Sequence, residues 1–572
     1  MINPRPLTGL SGTVPIISAF LYNNCMFQLF SKRLFLILLI LALSSCKRET
    51  APAVQTASQN VPLVPAYGDA LIVGSIAEPS NLIPMLASDA PSQDVAGLVY
   101  NGLVKYDTDL SVIGDLAQSW DISKDGLVIT FHLRKGVKWT DGVEFTADDV
   151  MFGYQTIISD KTPTAYSEDF KQVKKAEVLD KYTFRVTYEK PYAPALTSWG
   201  NLVVLPKHLL EGKDITKSPL TRDPMGMGPY KLTKWVSGQE LVLDSNHDYF
   251  EGRPYIDRYV YRVIPDSATM FLELQTGGVD MMGLTPLQYI KQTNSQYFKD
   301  NFNKYRYPSF SYTYLGFNLK HPFFKDRRVR QAIAYAIDKQ EILDVVLYGL
   351  GSVATGPYVP NTWPYNPNVK EYEYNPAKAK ELLGEAGWKM GKDGVLEKDG
   401  RPFEFTILTN LGNSLRMNTA TIIQWRLAKV GIKVHIRVLE FSTFINEFID
   451  KRRFEAVILG WQIGLDPDQY DIWYSGKTKE KELNFVSYSN PEVDALLEKG
   501  RRTFDINERK KAYFRMQEIL AEDLPYIFLY VPDSLTIVSS RFKGIKVSPI
   551  GITYNLPKWY VPKPLQRYHI EP

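Results

Sequence analysis

Few residues in this chain have the type and spacing for chemistry. The histidines are His132, His208, His247, His321, His435 and His569. No two lie within five positions, so no HExxH pair can put two imidazoles on one helix face for a metal. The cysteines are Cys25 and Cys46 alone. There is no GxSxG elbow and no phosphate-cradling P-loop. Gly226-Met227-Gly228-Pro229 lacks a third glycine and reads as a turn. Asp107, Asp109 and Ser111 open like a calcium loop, but Val112 stands where the sharp turn needs glycine. The 63 acids offer many chance carboxylate pairs for glycoside chemistry, and nothing singles one out. An enzyme is not expected, and neither is a metal site or a cofactor.

The most suggestive tract is 460–470. Trp461, Gln462, Ile463, Gly464, Leu465, Asp466, Asp468 and Tyr470 follow an apolar run, 454–461, that reads as a buried strand. Asp466 also has the form of a helix N-cap, with Pro467 as first helical residue. Gly476 would then stop a short helix holding Ile472 and Trp473. Trp461, Gln462 and Gly464 have no such structural role and rank first as ligand-facing.

The elements that must position this tract are legible. Leu127, Ile129, Phe131 and Leu133, and again Tyr182, Phe184, Val186 and Tyr188, alternate with their neighbours as half-buried strands do. Val329, Ala332, Ile333, Ala336 and Ile337 share one helix face, with Asp326 as N-cap. Asn375-Pro376 opens another helix that Gly387 closes. Residues 403–438 read as strand, helix, strand, which implies a parallel βαβ unit. Ligands of such sheets bind beyond the strands' carboxyl ends, here after Thr409, Leu439 and Gly460.

The 572 residues suggest three or four domain-sized units. With 44% hydrophobic and 23% charged residues the chain is globular. A net charge of +4 lacks the electrostatic footprint of a nucleic-acid binder. The 35 tyrosines, 28 phenylalanines and 10 tryptophans suit either ligand-holding surfaces or an aromatic core.

Lys32 and Arg33 precede a ten-residue apolar run, 34–43, too short to span a bilayer and of signal-peptide length. It ends in Leu43-Ser44-Ser45-Cys46, which resembles a bacterial lipobox. The expectation is a leader over 1–45, with Met26 the better start, and lipidation at Cys46. A lipid-anchored flexible tether over 46–67 follows. Removing Arg5, Lys32 and Arg33 with the leader takes the net charge to +1.

Longer segments carry a resemblance. They are SIAEPSNLIPML at 75–86, Asn101-Gly102-Leu103, LAQSWDISKDGLVITFHLRKGVKWTDGVEFTADDVMFGY at 116–154 and GMGPYKL at 226–232. Residues 313–338, 375–388 and 487–500 continue it. From about 68 to 560 the chain resembles the family 5 extracellular solute-binding proteins that feed peptide ABC importers. The resemblance implies an α/β, two-lobe periplasmic-binding-protein fold (type II-like) with an extra small subdomain in the first lobe. The first lobe would be 68–307 and 531–572, with the subdomain near 111–207, and the second lobe 308–530. The chain would cross between them near 307–314 and 528–532. Ligand-binding residues would be Asn81, Leu82, Pro84, Met85, the 461–470 residues and Asn318, with 82–86 and 461–466 as opposing walls. In peptide-binding members an aspartate three residues after the Trp grips the ligand's α-amino group. Gly464 stands there, leaving Asp466 or Asp468 as substitutes. Expected partners are a peptide or similar solute, the permease and ATPase of an ABC transporter, and a membrane through the lipid anchor. The protein would be a monomer on the periplasmic side of a cell membrane, or on the outer face of a monoderm's membrane. A non-peptide ligand (oligosaccharide, opine, metal chelate or haem) is the alternative.

Overall fold

The computed structural model describes residues 63–549 and 551–569. The leader, Cys46 and most of the tether lie outside the described residues.

The alternating runs form strands. Val128–Leu133 buries Ile129, Phe131 and Leu133, and Thr183–Tyr188 buries Phe184, Val186 and Tyr188. They pair antiparallel at the centre of a four-stranded sheet, with Phe131 opposite Phe184. Under it lies the fully buried Trp199, whose ring meets Phe131, Phe170 and Phe184 at 5.2 to 5.9 Å. Its indole N–H donates to Tyr188 Oη at 3.0 Å, so the one polar atom it buries is satisfied.

The helix signals hold where they are local. Arg327–Ala336 starts after Asp326, whose carboxylate accepts the Arg328 N–H. Pro376–Glu385 is capped by Asn375 and ends before Gly387, which has φ +89°. Glu404–Asn410 and Lys433–Leu439 pair in parallel around Ser414–Ala428, with Ile407 opposite Ile436. Ala456–Gln462 runs parallel on the other side. Their carboxyl ends therefore share one edge.

These strands belong to a twelve-stranded mixed sheet. Its spine is Tyr526–Ser539. The first part of that strand pairs with Ser311–Phe317 and the last with Phe302–Pro308. Gly351–Val353 pairs with it between the two. The chain thus passes from one half of the sheet to the other at two adjacent places, residues 309–310 and 531–533. Three of the four apolar cores among the described residues respect this division, while the fourth packs Leu350 with Ile264, Leu284, Phe302 and Ile537 across it. One draws on residues between 71 and 261 and between 538 and 561. Two others draw only on residues between 312 and 531. No helix among the described residues is long and apolar enough to cross a membrane.

Trp199→Ala should cost about 3–5 kcal/mol in chemical denaturation, because the contacts with Phe131, Phe170 and Phe184 and a satisfied N–H are lost together. Trp199→Phe should cost clearly less. Equal losses would mean that the ring cluster does not organise this sheet.

Candidate ligand-binding cleft

Ala456–Gln462 pairs along its length with Ser311–Phe317, but meets Glu404–Asn410 only at Ala456 and Val457. Beyond Val457 that second edge has no strand neighbour among the described residues. The tract that follows is held from one side: Ile463 N–H donates to the Phe310 carbonyl at 2.8 Å. Trp461 donates its indole N–H to Tyr526 Oη at 3.3 Å and tilts against Phe485. Gln462 and Gly464 are exposed and Leu465 is half-buried. A Cβ on Gly464 would meet only the Asp466 carbonyl, at 3.7 Å, so space does not dictate glycine there.

The two carboxylates of the tract are already paired. Asp466 accepts from Arg509 at 2.8 Å and from the Asp468 N–H at 3.0 Å. Asp468 accepts from both Nε and Nη2 of Arg501, at 2.8 and 2.6 Å. Arg501 Nη2 also meets Asp169, in the other half of the molecule, at 2.7 Å. The Arg501 side chain is 2% exposed, and Tyr470 lies with its ring 3.9 Å from the guanidinium carbon. The Arg501 carbonyl accepts the Ala193 N–H, and Arg502 donates to Gln172. Lys477 bridges Glu168 at 3.2 Å and Asp471 at 3.0 Å. Burial pushes the carboxyls of Asp169 and Asp466 up, against the pull of Arg501 and Arg509. Burial alone would lower Arg501, but Asp468, Tyr192 and Asp169 outweigh it and hold it charged.

The helix expected from Pro467 starts later. It is Tyr470–Trp473, and its N-cap position is Gln469. Arg509 claims the Asp466 carboxylate, which turns the backbone at Asp468 and caps no helix.

The other expected site residues divide. Asn81 accepts the Ile83 N–H at 2.8 Å within its own turn, and Leu82 is fully buried. Pro84 and Met85 open the short turn Pro84–Leu86. Met85 lines a narrow crevice of about 30 Å³ with Asp89 and Tyr166, facing Ile445, Asp450 and Lys481. The wall across from 82–86 is therefore the segment after Lys433–Leu439, rather than 461–466. Asn318 is not brought to the tract. It ends its strand, donates to the Phe454 carbonyl at 2.9 Å and accepts the Lys320 N–H. Six residues at ~3.3 Å each separate it from Tyr312, the partner of Trp461.

Arg501, Arg509, Asp169 and Arg416 were not singled out by sequence, because no local period marks them. Arg416 donates to Asn410 Oδ1 at 2.8 Å and approaches Gly460. Burial lowers its guanidinium, with Tyr530 and Tyr314 opposing, and it forms no ion pair among the described residues.

Residues 111–482 match the profile of the bacterial extracellular solute-binding proteins, family 5 Middle. The oligopeptide-binding protein AppA of Bacillus subtilis (strain 168) is 36% identical over 543 residues, covering 92% of this chain and 98% of that protein. The chain belongs to the family 5 bacterial extracellular solute-binding proteins. The structure of B. subtilis AppA in complex with a nonapeptide superposes with a TM-score of 0.84 at 35% identity, covering 87% of this chain and all of that one. NikZ from Campylobacter jejuni in complex with Ni(L-His) gives 0.79 at 33%, covering 86% and 99%. The chain has the two-lobe fold of this family, and the Arg501 cluster joins Asp169 to Asp468 within it.

Burial, with Asp169 adding and Lys477 opposing, pushes Asp471 up to about 7. The folded protein keeps a proton there that the unfolded chain loses above about 4, so stability falls as pH rises from about 4 to 7. Asp471→Asn should flatten that part of the thermal-midpoint profile and raise the midpoint at pH 8. A variant profile parallel to wild type would assign the slope to another group.

Proposed function

We propose that this family 5 protein captures peptides between its lobes and delivers them to the permease and ATPase of an ABC importer, without turning them over. The lobes in this reading are 68–307 with 531–572, including the subdomain near 111–207, and 308–530. The leader ends before Cys46, whose lipid holds the body beside a membrane, outside the cytoplasm.

The observation that carries the reading is the edge of Ala456–Gln462 from Gly460 onward, past the Ile458 carbonyl that takes the Thr409 hydroxyl, where no second strand pairs among the described residues. An extended peptide can add there as a strand, drawing affinity from main-chain hydrogen bonds and leaving its side chains little constrained. The relatives support it: B. subtilis AppA is named for oligopeptides and was solved with a nonapeptide. Arg416, beside Gly460 at that edge and without an ion-pair partner among the described residues, suits a peptide carboxylate. The tract supplies no free carboxylate for the other end, since Asp466 and Asp468 serve Arg509 and Arg501.

Mass spectrometry of ligand released by denaturation should identify intact peptides, and calorimetry with one of them tests the anchor. Amidating its C-terminus should weaken binding about 10- to 100-fold, the range for a lost charge-assisted hydrogen bond. Arg416→Gln should bind the acid and the amide alike. Release of a non-peptide solute, or cleavage beyond one turnover that a point substitution abolishes, would overturn the reading.

A further inference from the structure

The crevice of about 30 Å³ between residues 80–89 and 445–450 lies at the end of the sheet where the peptide reading puts the bound chain. Asp450 follows Lys433–Leu439, whose carboxyl end shares an edge with that of Ala456–Gln462. Glu404–Asn410 separates those two strands, so their ends are two strand spacings, about 10 Å, apart. The crevice has room for one or two water-sized groups. A peptide would therefore place one terminal group in it and keep its body outside.

Two carboxylates line the crevice, and they differ. Asp89 is occupied: it accepts the Ser92 N–H at 3.0 Å, the Ser92 hydroxyl at 2.9 Å and the Ser80 hydroxyl. Asp450 is held only by its backbone. Its N–H donates to the Ile445 carbonyl at 2.9 Å, and its carbonyl accepts from Arg452 Nη1. Arg452 spends Nη2 on the carbonyls of Lys479 and Glu482. The half-buried Asp450 carboxylate has no hydrogen bond and no ion pair among the described residues. Lys481, also on the crevice, is exposed and forms no ion pair among them either. Burial pushes the Asp450 carboxyl up to about 6, with Lys481 and Arg452 opposing and Glu480 and Asp89 adding. Two carboxylates thus meet one lysine, and a carboxylate withdrawn from water is costly until a cation pairs with it.

The neutral groups point the same way. Asn446 donates its Nδ2 to Ser442 Oγ at 3.2 Å, which leaves its Oδ1 to accept. On the opposite side the Tyr166 hydroxyl is taken by the Ala87 carbonyl at 3.4 Å. A charged acceptor with an amide oxygen near it suits a compact group that carries donors alone, as an ammonium does.

We propose that Asp450 holds an ammonium group of the bound peptide in this crevice, either its α-amino group or a lysine side chain. The proposal rests on the peptide reading. It gives the peptide's positive charge a partner that Asp466 and Asp468, already paired, do not.

The probes are pentaalanine, N-acetyl-pentaalanine, and N-acetyl-pentaalanine with one lysine or one norleucine at each position in turn, titrated into the full chain by calorimetry. Pentaalanine should bind at least about tenfold more tightly than its N-acetyl form, or one lysine peptide should do so over its norleucine counterpart, the gain expected of one charge-assisted hydrogen bond. The first result assigns the α-amino group and the second a side chain. In Asp450→Asn that advantage should disappear, with a thermal midpoint no lower than the wild type's. Peptides that bind with no cost of acetylation and no gain from any lysine would overturn the proposal and leave the peptide reading standing. So would an advantage that survives in Asp450→Asn, or a lowered midpoint, which would give the carboxylate a structural partner. Saturable binding of none of these peptides would overturn the peptide reading and the proposal together.

Discussion

The guanidinium of Arg501 lies almost wholly out of water between Asp468 on the second lobe and Asp169 on the first. A buried charge of this kind is tolerable only with its partners in place, and removing one is far costlier than the pair is worth. Three features follow. The 466–470 loop is held at two points, by Arg501 on Asp468 and by Arg509 on Asp466. Its carboxylates are internal counter-ions rather than free anionic groups. Contact between the lobes is written into the same side chain that fixes the loop, so loop geometry and lobe closure are coupled.

The covalent connection leaves that coupling free to operate. Residues 309–310 and 531–533 lie side by side where the sheet changes partners. Two adjacent extended crossings let a few residues absorb the rotation of one lobe against the other. Backbones also approach closely at Gly412, where φ is +82° and a Cβ would sit 1.9 Å from the Pro265 carbonyl oxygen. Peptide would shift the population toward the closed pairing by binding it better than the open form.

What could be read from the sequence follows the range of the interactions. The βαβ unit, the Asp326 and Asn375 caps and the alternating strands depend on neighbours within a few residues, and all were legible. The Arg501 bridge joins positions 33 and 332 apart, with no period to betray it. The same reach explains the misplaced helix start. Asp466-Pro467 satisfies the local rule for a cap, but Arg509, 43 residues on, takes the carboxylate. Asn318 sits in a recognisable segment whose residues do different jobs, and its own is to end a strand far from Trp461. Gly464 was noticed through its difference from relatives, and its meaning came only when Asp466 and Asp468 proved to be spoken for.

Capture between lobes is tested most directly by small-angle X-ray scattering on the free protein and on the protein saturated with a peptide it has been found to bind. The account predicts a smaller radius of gyration and a shorter maximum dimension with peptide. Identical curves at a saturation verified by calorimetry would contradict it, because the ligand would then be held without the lobes closing on it.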